Sequence, residues 1–286
     1  MVSIVIAAHN EETVVGSCLD ALRRATGPDD EIIVSANGCT DRTAEVARDH
    51  GAIVVERAEP GKPGALNAGE DRATGFPRVY LDADIRVPAH SVATLERLLQ
   101  DGALAAVPRR RVETSGRPLP VKAYFAINGR LPAFRDGLFG RGMIAVSETG
   151  RRRFERFPSL TADDLFLDAQ FSSAEKAEAD DVVVVVEAPR TTKALVNRLV
   201  RVRRGNAELR SASATGEIDG AVRESDRWAW LRDVVLPHPH LVFAAVPYLA
   251  ITVAAALRAR RTPRTAGGWE RDDSTRVASA PQMEAA

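Results

Sequence analysis

Val79-Tyr80-Leu81-Asp82-Ala83-Asp84-Ile85 is the stretch from which the fold of this chain can be inferred. Three apolar residues run into two acids, a pattern typical of a buried strand whose last residues emerge at the edge of a sheet. In an extended segment Asp82 and Asp84 point to the same side. Two carboxylates can converge there when Mg²⁺ or Mn²⁺ lies between them, since hard cations take oxygen ligands. The alternative is an acidic turn, because aspartate is common in turns.

The segments before this stretch alternate between strand and helix patterns. Strand patterns lie at 2–8, 31–34 and 53–55, and helix patterns follow at 14–22, 40–47 and 65–68. This order predicts right-handed βαβ units and a parallel sheet over residues 1 to about 100. Ligands of such sheets bind beyond the carboxyl ends of the strands. The polar residues that follow each strand are therefore candidate site residues.

Several function classes are disfavoured by what the sequence lacks. No Gly-x-Gly-x-x-Gly follows the first strand, and no Gly-x-x-x-x-Gly-Lys-Ser/Thr occurs, which argues against a dinucleotide oxidoreductase and a P-loop enzyme. Lys+Arg and Asp+Glu both number 39, so the charge indicates no nucleic-acid partner. Cys18 and Cys39 have no metal-ligand spacing, and the first apolar run lacks the basic region of a signal peptide. We expect a cytoplasmic protein.

Four motifs, in order, resemble those of the family 2 glycosyltransferases, which have the GT-A fold. Two follow the first two strands: Ala8-His9-Asn10-Glu11-Glu12, similar to Tyr-Asn-Glu-Glu, and Ala36-Asn37-Gly38-Cys39-Thr40-Asp41, similar to Asp-Asp-Gly-Ser-Thr-Asp. The others are Gly61-Lys62-Pro63-Gly64-Ala65-Leu66-Asn67-Ala68-Gly69, similar to Gly-Lys…Ala-Leu-Asn-x-Gly, and Asp82-Ala83-Asp84, which matches Asp-x-Asp. The resemblance implies a nucleotide-diphospho-sugar donor.

The resemblance also implies roles for individual residues on the donor side. Asp82 and Asp84 are expected to hold Mg²⁺ or Mn²⁺, which stabilises the leaving diphosphate. The residues expected to bind the donor are Asn10, Glu11, Asn37, Asp41, Lys62, Asn67, Asp82, Arg203 and Arg204. Lys62 has the simpler alternative of a solvated surface lysine. Ala36 and Asn37 replace two acids that the family often carries, which leaves the nucleotide open.

The second half is expected to supply the acceptor site and the catalytic base. Residues 138–146 are predicted to form a glycine-punctuated strand, similar to the family segment that closes over the donor sugar. Residues 161–167 resemble the family motif Glu-Asp-x-x-Leu, with Asp163 in place of Glu. The role carried onto Asp164 is general base for inverting transfer, worth ~10²–10⁴-fold in rate. The alternative is that Thr161 caps a helix whose first turn holds both aspartates.

Two basic segments of this half stay ambiguous. Arg109-Arg110-Arg111 would attract a phosphate-bearing acceptor, but a solvated turn is the prediction we favour. Residues 200–206 lack the Gln and Trp of the family's Gln-x-x-Arg-Trp motif, which favours transfer of a single sugar over polymerisation. Arg203 or Arg204 is expected to meet the diphosphate, and the alternative is an exposed basic helix.

The C-terminal part changes character. Residues 234–257 contain no Asp, Glu, Lys or Arg, and Arg258, Arg260 and Arg261 follow. Residues 241–257 as a helix reach only about 25 Å at ~1.5 Å each, short of a ~30 Å hydrocarbon core. A span would also place the arginines against the positive-inside rule. We expect a segment that lies on the inner face of the cell membrane; a buried core helix is the alternative.

The sequence thus predicts an α/β, GT-A-like fold: a mostly parallel sheet flanked by helices, with a C-terminal apolar segment. The predicted parts are a donor-binding half (1–100), an acceptor-binding and catalytic half (101–232), an apolar segment (233–261) and a disordered tail (262–286). The expected function is hexosyl transfer with inversion to an acceptor hydroxyl, on a lipid-linked or cell-envelope acceptor. The alternatives are a nucleotidyltransferase-like enzyme and a non-catalytic module of the same fold.

Overall fold

The computed structural model describes residues 1–160, 162–220 and 222–261. The strands are β1 (Ser3–Ala8), β2 (Glu31–Asn37), β3 (Ile53–Arg57), β4 (Arg78–Asp82), β5 (Ala105–Glu113), β6 (Met143–Val146) and β7 (Lys176–Glu187). The helices are α1 (Val15–Arg23), α2 (Thr43–Asp49), α3 (Lys62–Arg72), α4 (Ser91–Gln100), α5 (Leu119–Asn128), α6 (Ala133–Asp136), α7 (Glu148–Arg151), α8 (Asp163–Ala169), α9 (Thr192–Ala214) and α10 (Val242–Arg261). Two 3₁₀ segments (Ser173–Glu175 and Pro239–Leu241) and a π-helical segment (Trp230–Val235) complete the regular structure of this part.

The described residues form a seven-stranded sheet with the order β3-β2-β1-β4-β6-β5-β7. The first four strands along the chain are mutually parallel, β6 is antiparallel to both neighbours, and β5 pairs with β7 in parallel. The mostly parallel sheet flanked by helices confirms the predicted fold class. The carboxyl ends of β1, β2 and β4 meet at one edge, as parallel pairing requires.

Both faces of the sheet are buried at its central strands β1, β2 and β4. Ile4 and Ile6 of β1 face a core that includes Leu19 of α1. Val5 between them faces the opposite core, with Tyr80 of β4. Strands covered on both faces are apolar at every position rather than at alternate ones, which explains the continuous apolar runs of the sequence.

A third core lies among the helices that follow the sheet. α10 packs against α5 and α9, and its Ala245, Tyr248 and Ile251 are buried there. The other side of α10 is apolar and exposed, with Phe243 87% and Val246 72% accessible. The segment Pro239–Arg261 is long and apolar enough to cross a membrane by length and composition, although the core helix of a soluble protein passes the same test. The predicted apolar segment is thus a helix that is buried on one side only.

Three local predictions were wrong. Arg109–Arg111 form no turn, because β5 continues past a register shift after Pro108 and pairs with β7 up to Glu113. Residues 138–142 are not part of a strand, because Gly140 and Gly142 take φ values of 70° and 73° and β6 begins only at Met143. Lys62 lies before the helix predicted at 65–68 but stands in the first turn of α3, where a proline at the start is well tolerated.

Some predictions bear on boundaries or on residues that are not described. The predicted division near residue 100 falls between α4 and β5, and the same sheet continues across it. Asp163 and Asp164 stand in the first turn of α8, which was the alternative given for these two residues. The predicted helix cap Thr161 and the predicted disordered tail, residues 262–286, lie outside the described residues.

Candidate active site

The loops that follow β1 and β2 are held together by a fully buried asparagine. Asn37 ends β2, and its side-chain amide donates to the Ala8 carbonyl at 2.7 Å. Its Oδ1 accepts from the Gly61 N–H at 2.8 Å, which ties the start of α3 to the same point. The ring of His9 lies 2.6 Å from the Asn37 carbonyl. Asn37 therefore organises the edge of the sheet through backbone groups, and its role in donor binding stays a prediction.

The predicted metal-binding pair lies where β4 ends. Asp82 is its last residue, and Asp84, two positions later, is exposed. The neighbouring thiol of Cys18 is affected by the negative charge of this edge. Burial raises its pKa to about 12, together with the charges of Asp84, Asp82 and Glu11. The negative charges of three carboxylates therefore act together at the Cys18 thiol, beside the end of β4.

The chemistry of this edge fits a hard divalent cation, because carboxylate oxygens are its preferred ligands. The part of the chain that the structure describes contains no group of three or more His, Cys, Asp or Glu side chains arranged to hold a metal. Asp82 and Asp84 would thus supply a minority of the ligands, and diphosphate oxygens and water would complete the shell. Such sharing with substrate phosphates is usual for Mg²⁺.

Lys62 joins this edge to the acidic pair of α8. Its Nζ lies 2.7 Å from Asp82 Oδ1 and 2.9 Å from Asp163 Oδ2. Burial acts to lower the pKa of Lys62, but Asp163 and then Asp82 overcome this and raise it above its usual value. Lys62 is therefore a cation shared between two carboxylates, and the solvated-lysine alternative is wrong.

Asp164 has the environment of a basic carboxylate. Burial, followed by the charge of Asp163, raises its pKa from 3.8 to about 6, while Lys62 and a hydrogen bond from Gly140 act in the opposite direction. The Gly140 N–H donates to Asp164 Oδ2 at 2.9 Å. A carboxylate with a pKa near 6 accepts a proton more readily than an ordinary aspartate and is still ionised at pH 7.

The loop that carries Gly140 is fixed by buried charges. Asp168 of α8 accepts from the Leu138 N–H at 2.9 Å and pairs with Lys176 at 2.7 Å. Arg141 donates to the Pro108 carbonyl at 2.9 Å and pairs with Glu178. The Gly140 N–H is thereby held in place opposite Asp164.

The side chains of three further predicted donor residues form hydrogen bonds with backbone groups of nearby segments. Asn10, at φ 53°, accepts from the Thr40 N–H at 2.7 Å. Asp41 accepts from the Thr43 N–H at 3.0 Å and so stabilises the start of α2. The side-chain amide of Asn67 donates to the Phe157 carbonyl at 3.0 Å and accepts from the Phe157 N–H at 2.9 Å. Asn10 and Asp41 therefore shape the loops that follow β1 and β2, and Asn67 ties α3 to the segment that contains Phe157.

A scan against protein-family models matches residues 3–156 to the model described as "Glycosyl transferase family 2", more than half of the chain's 286 residues. This chain belongs to glycosyltransferase family 2. The match contains the four motifs of the first half and ends before Asp164. The family resemblance inferred from the residues alone is confirmed.

The relatives of this family 2 chain are distant. Glycosyltransferase EpsJ of Bacillus subtilis is 33% identical over 106 residues, which are 35% of this chain and 30% of the relative. The chain thus spans about a third of the length of that curated relative. The mannosyltransferase PcManGT of Pyrobaculum calidifontis, solved with GDP-Man and Mn²⁺, superposes with a TM-score of 0.58 at 21% identity and covers 92% of this chain and 76% of its own. Glucosyl-3-phosphoglycerate synthase of Mycobacterium tuberculosis, solved with Mn²⁺, UDP-glucose and phosphoglyceric acid, has a TM-score of 0.54 at 22% identity, covering 77% and 81%.

Two of the predicted donor residues of this family 2 chain lie elsewhere in the structure. Arg203 and Arg204 are on α9, and the charge of Arg203 acts on the phenols of Tyr124 and Tyr248, among the C-terminal helices. Arg203 forms no ion pair within 4.0 Å with any described carboxylate. The structure therefore brings Lys62, Asp82, Asp163 and Asp164 together but does not bring Arg203 to them.

Two residues next to the site were not predicted from the sequence: Gly140 and Arg110. Gly140 was assigned to a strand, although two glycines two positions apart also indicate a loop with left-handed backbone. Arg110 was grouped with its neighbours, although strand alternation would have separated it: Arg109 and Arg111 are exposed, and Arg110 between them is half-buried.

Proposed function

We propose that this chain transfers one hexosyl group from a nucleotide-diphospho-sugar donor to an acceptor hydroxyl, with inversion at the anomeric carbon. The observation that carries the proposal is the ion-pair chain from Asp82 through Lys62 to Asp163, next to Asp164. The ion-pair chain connects the sheet edge at Asp82, which we call the donor edge, with Asp164, a carboxylate whose pKa is raised. The carboxylates of the donor edge attract cations. Membership of family 2 and the nucleotide-sugars with which PcManGT and the synthase were solved support the same donor class.

In the proposed mechanism Asp164 accepts the proton of the acceptor hydroxyl as its oxygen attacks the anomeric carbon. The bond from that carbon to the diphosphate breaks, and the nucleoside diphosphate leaves with the electron pair. Attack from the face opposite the leaving group inverts the configuration. A divalent cation held by Asp82 and Asp84, when bound, supplies positive charge to the leaving diphosphate. Lys62 holds Asp163 beside the base and adds a second positive charge near the donor edge.

Asp164→Asn tests the catalytic role, and donor hydrolysis serves as the readout because it needs no identified acceptor. We expect the rate of nucleoside diphosphate release to fall ~10²–10⁴-fold while the donor affinity stays the same. Calorimetric titration with UDP-, GDP- and dTDP-sugars, each with Mn²⁺, Mg²⁺ or EDTA, measures that affinity and identifies the nucleotide. Asp84→Ala should abolish the metal dependence of donor binding.

Two other functions predict different results in the same experiments. A non-catalytic module would bind a donor but release no nucleoside diphosphate in wild type or variant. A nucleotidyltransferase-like enzyme would release pyrophosphate from a nucleoside triphosphate. A wild-type protein that binds no donor in the presence of metal would contradict the proposed function.

We also propose that α10 lies on the inner face of the cell membrane, where the acceptor is lipid-linked or belongs to the cell envelope. The exposed apolar face of α10 consists of Val242, Phe243, Val246, Leu249, Val253 and Leu257. Its last turn carries the exposed Arg258, Arg260 and Arg261. An apolar face followed by arginines matches the acyl boundary and the anionic headgroups of a bilayer surface.

A further inference from the structure

A cluster of arginines without acidic partners extends from the loop next to the proposed base to the C-terminal helices. Arg110 comes from β5, and Arg198 and Arg203 come from α9. None of the three forms an ion pair within 4.0 Å with a carboxylate of the described residues, whereas the neighbouring Arg141 is paired with Glu178. We call Arg110, Arg198 and Arg203 the arginine cluster.

The charge of Arg198 acts on Arg110, and the charges of all three arginines act on the phenol of Tyr124. Burial, then Arg141 and Arg198, lower the pKa of Arg110 from 12.5 to about 10, and no carboxylate opposes them. Burial raises the pKa of the Tyr124 phenol, and the positive charges of all three arginines act to lower it. Arg110 and Arg198 are half-buried, and Arg203 is exposed. Like charges at half-buried positions without counter-ions cost free energy in the unliganded protein. Such an arrangement indicates a site for an anion.

Arg110 is held in an orientation that suits an anion with several oxygens. Its guanidinium carbon lies 4.0 Å from the centroid of the Phe134 ring, a stacking that orients the planar group. One of its nitrogens donates to the Gly140 carbonyl at 3.3 Å. The remaining N–H groups form a fork of the kind that binds phosphate oxygens.

Arg110 is the member of the cluster that adjoins the catalytic position. Gly140, whose carbonyl accepts from Arg110, donates its own N–H to Asp164. A single residue therefore separates the guanidinium of Arg110 from the base. Arg110 reaches this position through Gly140, whereas Asp82 is joined to it through Lys62 and Asp163, so the cluster and the edge at Asp82 use different contacts.

We propose that the arginine cluster binds a phosphate group of the acceptor, so that the acceptor is a phosphate-bearing molecule whose hydroxyl is presented to Asp164. This inference rests on the proposed function and narrows its substrate class. Two sources share the chemistry: a lipid phosphate and a soluble phosphate ester. The lipid source is the expected one, because Tyr124 stacks on Tyr248 of α10 with ring centroids 5.2 Å apart, which puts the apolar helix next to the cluster.

Binding of octyl phosphate, glycerol phosphate and octyl glucoside to the full chain tests the proposal by calorimetry. We expect octyl phosphate to bind the wild type, and Arg110→Gln and Arg198→Gln to bind it at least ~10-fold more weakly. Arg111→Gln, on the exposed face of the same strand, is the matched control and should bind like the wild type. Arg110→Lys, which keeps the charge but loses the fork, should fall between wild type and Arg110→Gln.

The two sources give different results. Octyl phosphate that binds much more tightly than glycerol phosphate supports a lipid phosphate, and equal binding of the two supports a soluble ester. Octyl glucoside, which has the same tail without phosphate, should show no difference between Arg110→Gln and the wild type. Equal losses in Arg110→Gln and Arg111→Gln, or no phosphate binding by the wild type, overturn the proposal.

Donor titration with Mn²⁺ separates this inference from the proposed function. Arg110→Gln should bind the nucleotide-sugar as the wild type does, which also shows that the variant is folded. Donor binding without phosphate binding means that the arginine inference is wrong and the proposed function stands. If the wild type binds octyl phosphate, Arg110→Gln does not, and neither protein binds a donor, the arginine inference stands and the proposed function is wrong.

Discussion

Lys62 shares one positive charge between Asp82 at the donor edge and Asp163 beside the base. The two halves of the site are therefore electrostatically linked through a single side chain. Asp164 responds to both neighbours, because Asp163 raises its pKa and Lys62 lowers it. Substitutions at these two positions should move the titration of Asp164 in opposite directions.

The pH dependence of donor hydrolysis measures that titration. Asp164 is a base only when it is ionised, so we expect the wild-type rate to fall as the pH drops through about 6. Asp163→Asn removes a negative charge and should shift the midpoint to lower pH. Lys62→Met removes a positive charge and should shift it to higher pH. Identical midpoints in the three pH–rate profiles would contradict the assignment of Asp164 as the base.

At the scale of elements, α3 must approach β1 closely for Lys62 to reach Asp82. Gly69 of α3 makes this possible, since a Cβ there would overlap the Cγ1 methyl of Val5. Gly69→Ala should lower the free energy of unfolding by ~1–3 kcal/mol through overpacking, although alanine is the better helix former by ~1 kcal/mol. Urea denaturation of the purified variant measures this change.

Val5→Ala provides the control for this overlap. The smaller side chain opens space where the new methyl would lie, so the double variant should be more stable than the sum of the two single effects predicts. Strictly additive losses would mean that the cost of Gly69→Ala has another origin.

The junction of β1, β2 and the turn before β4 depends on Glu31. Burial opposes ionisation of Glu31, but hydrogen bonds from Ser3, Thr74 and Gly75 outweigh it and lower its pKa from 4.5 to about 2. A lowered folded-state pKa stabilises the fold above pH 4.5, and this stabilisation is lost as the pH falls towards 2. Glu31→Gln should therefore cost about 1–2 kcal/mol at pH 7.

The difference in stability between Glu31→Gln and the wild type should decrease as the pH falls from 4.5 to 2. Melting temperatures of both proteins over this range measure it, and each change is referred to the value at pH 7. A difference that stays constant down to pH 2 would show that the charge of Glu31 contributes nothing to stability.

At the scale of the whole molecule, the sheet half and the C-terminal helices have separate cores. The site lies on the sheet, and the exposed apolar face of α10 lies on the helices. Phe243→Glu and Val246→Glu should each reduce sedimentation with anionic lipid vesicles by ~10-fold, because each side chain buries apolar area worth ~1.5–3 kcal/mol.

Val183→Glu, at an exposed apolar position of β7, is the matched control and should sediment like the wild type. Equal sedimentation of all variants would contradict membrane contact through α10. A wild-type dimer in vesicle-free solution that Phe243→Glu dissociates would show that a second copy covers this face instead.

The sequence by itself determined the alternation of strands and helices, the position of Asp82 and Asp84 at the end of β4, and Asp163 and Asp164 in the first turn of α8. These features are local: apolar runs, short motifs and helix starts depend on residues close together in the chain. Tertiary structure alone decided that Lys62 pairs with both Asp82 and Asp163, since the second contact spans about a hundred residues. It also decided that Arg110 continues a strand and meets α9 rather than lying in a turn, because pairing with β7 and the packing of α9 are set by distant segments.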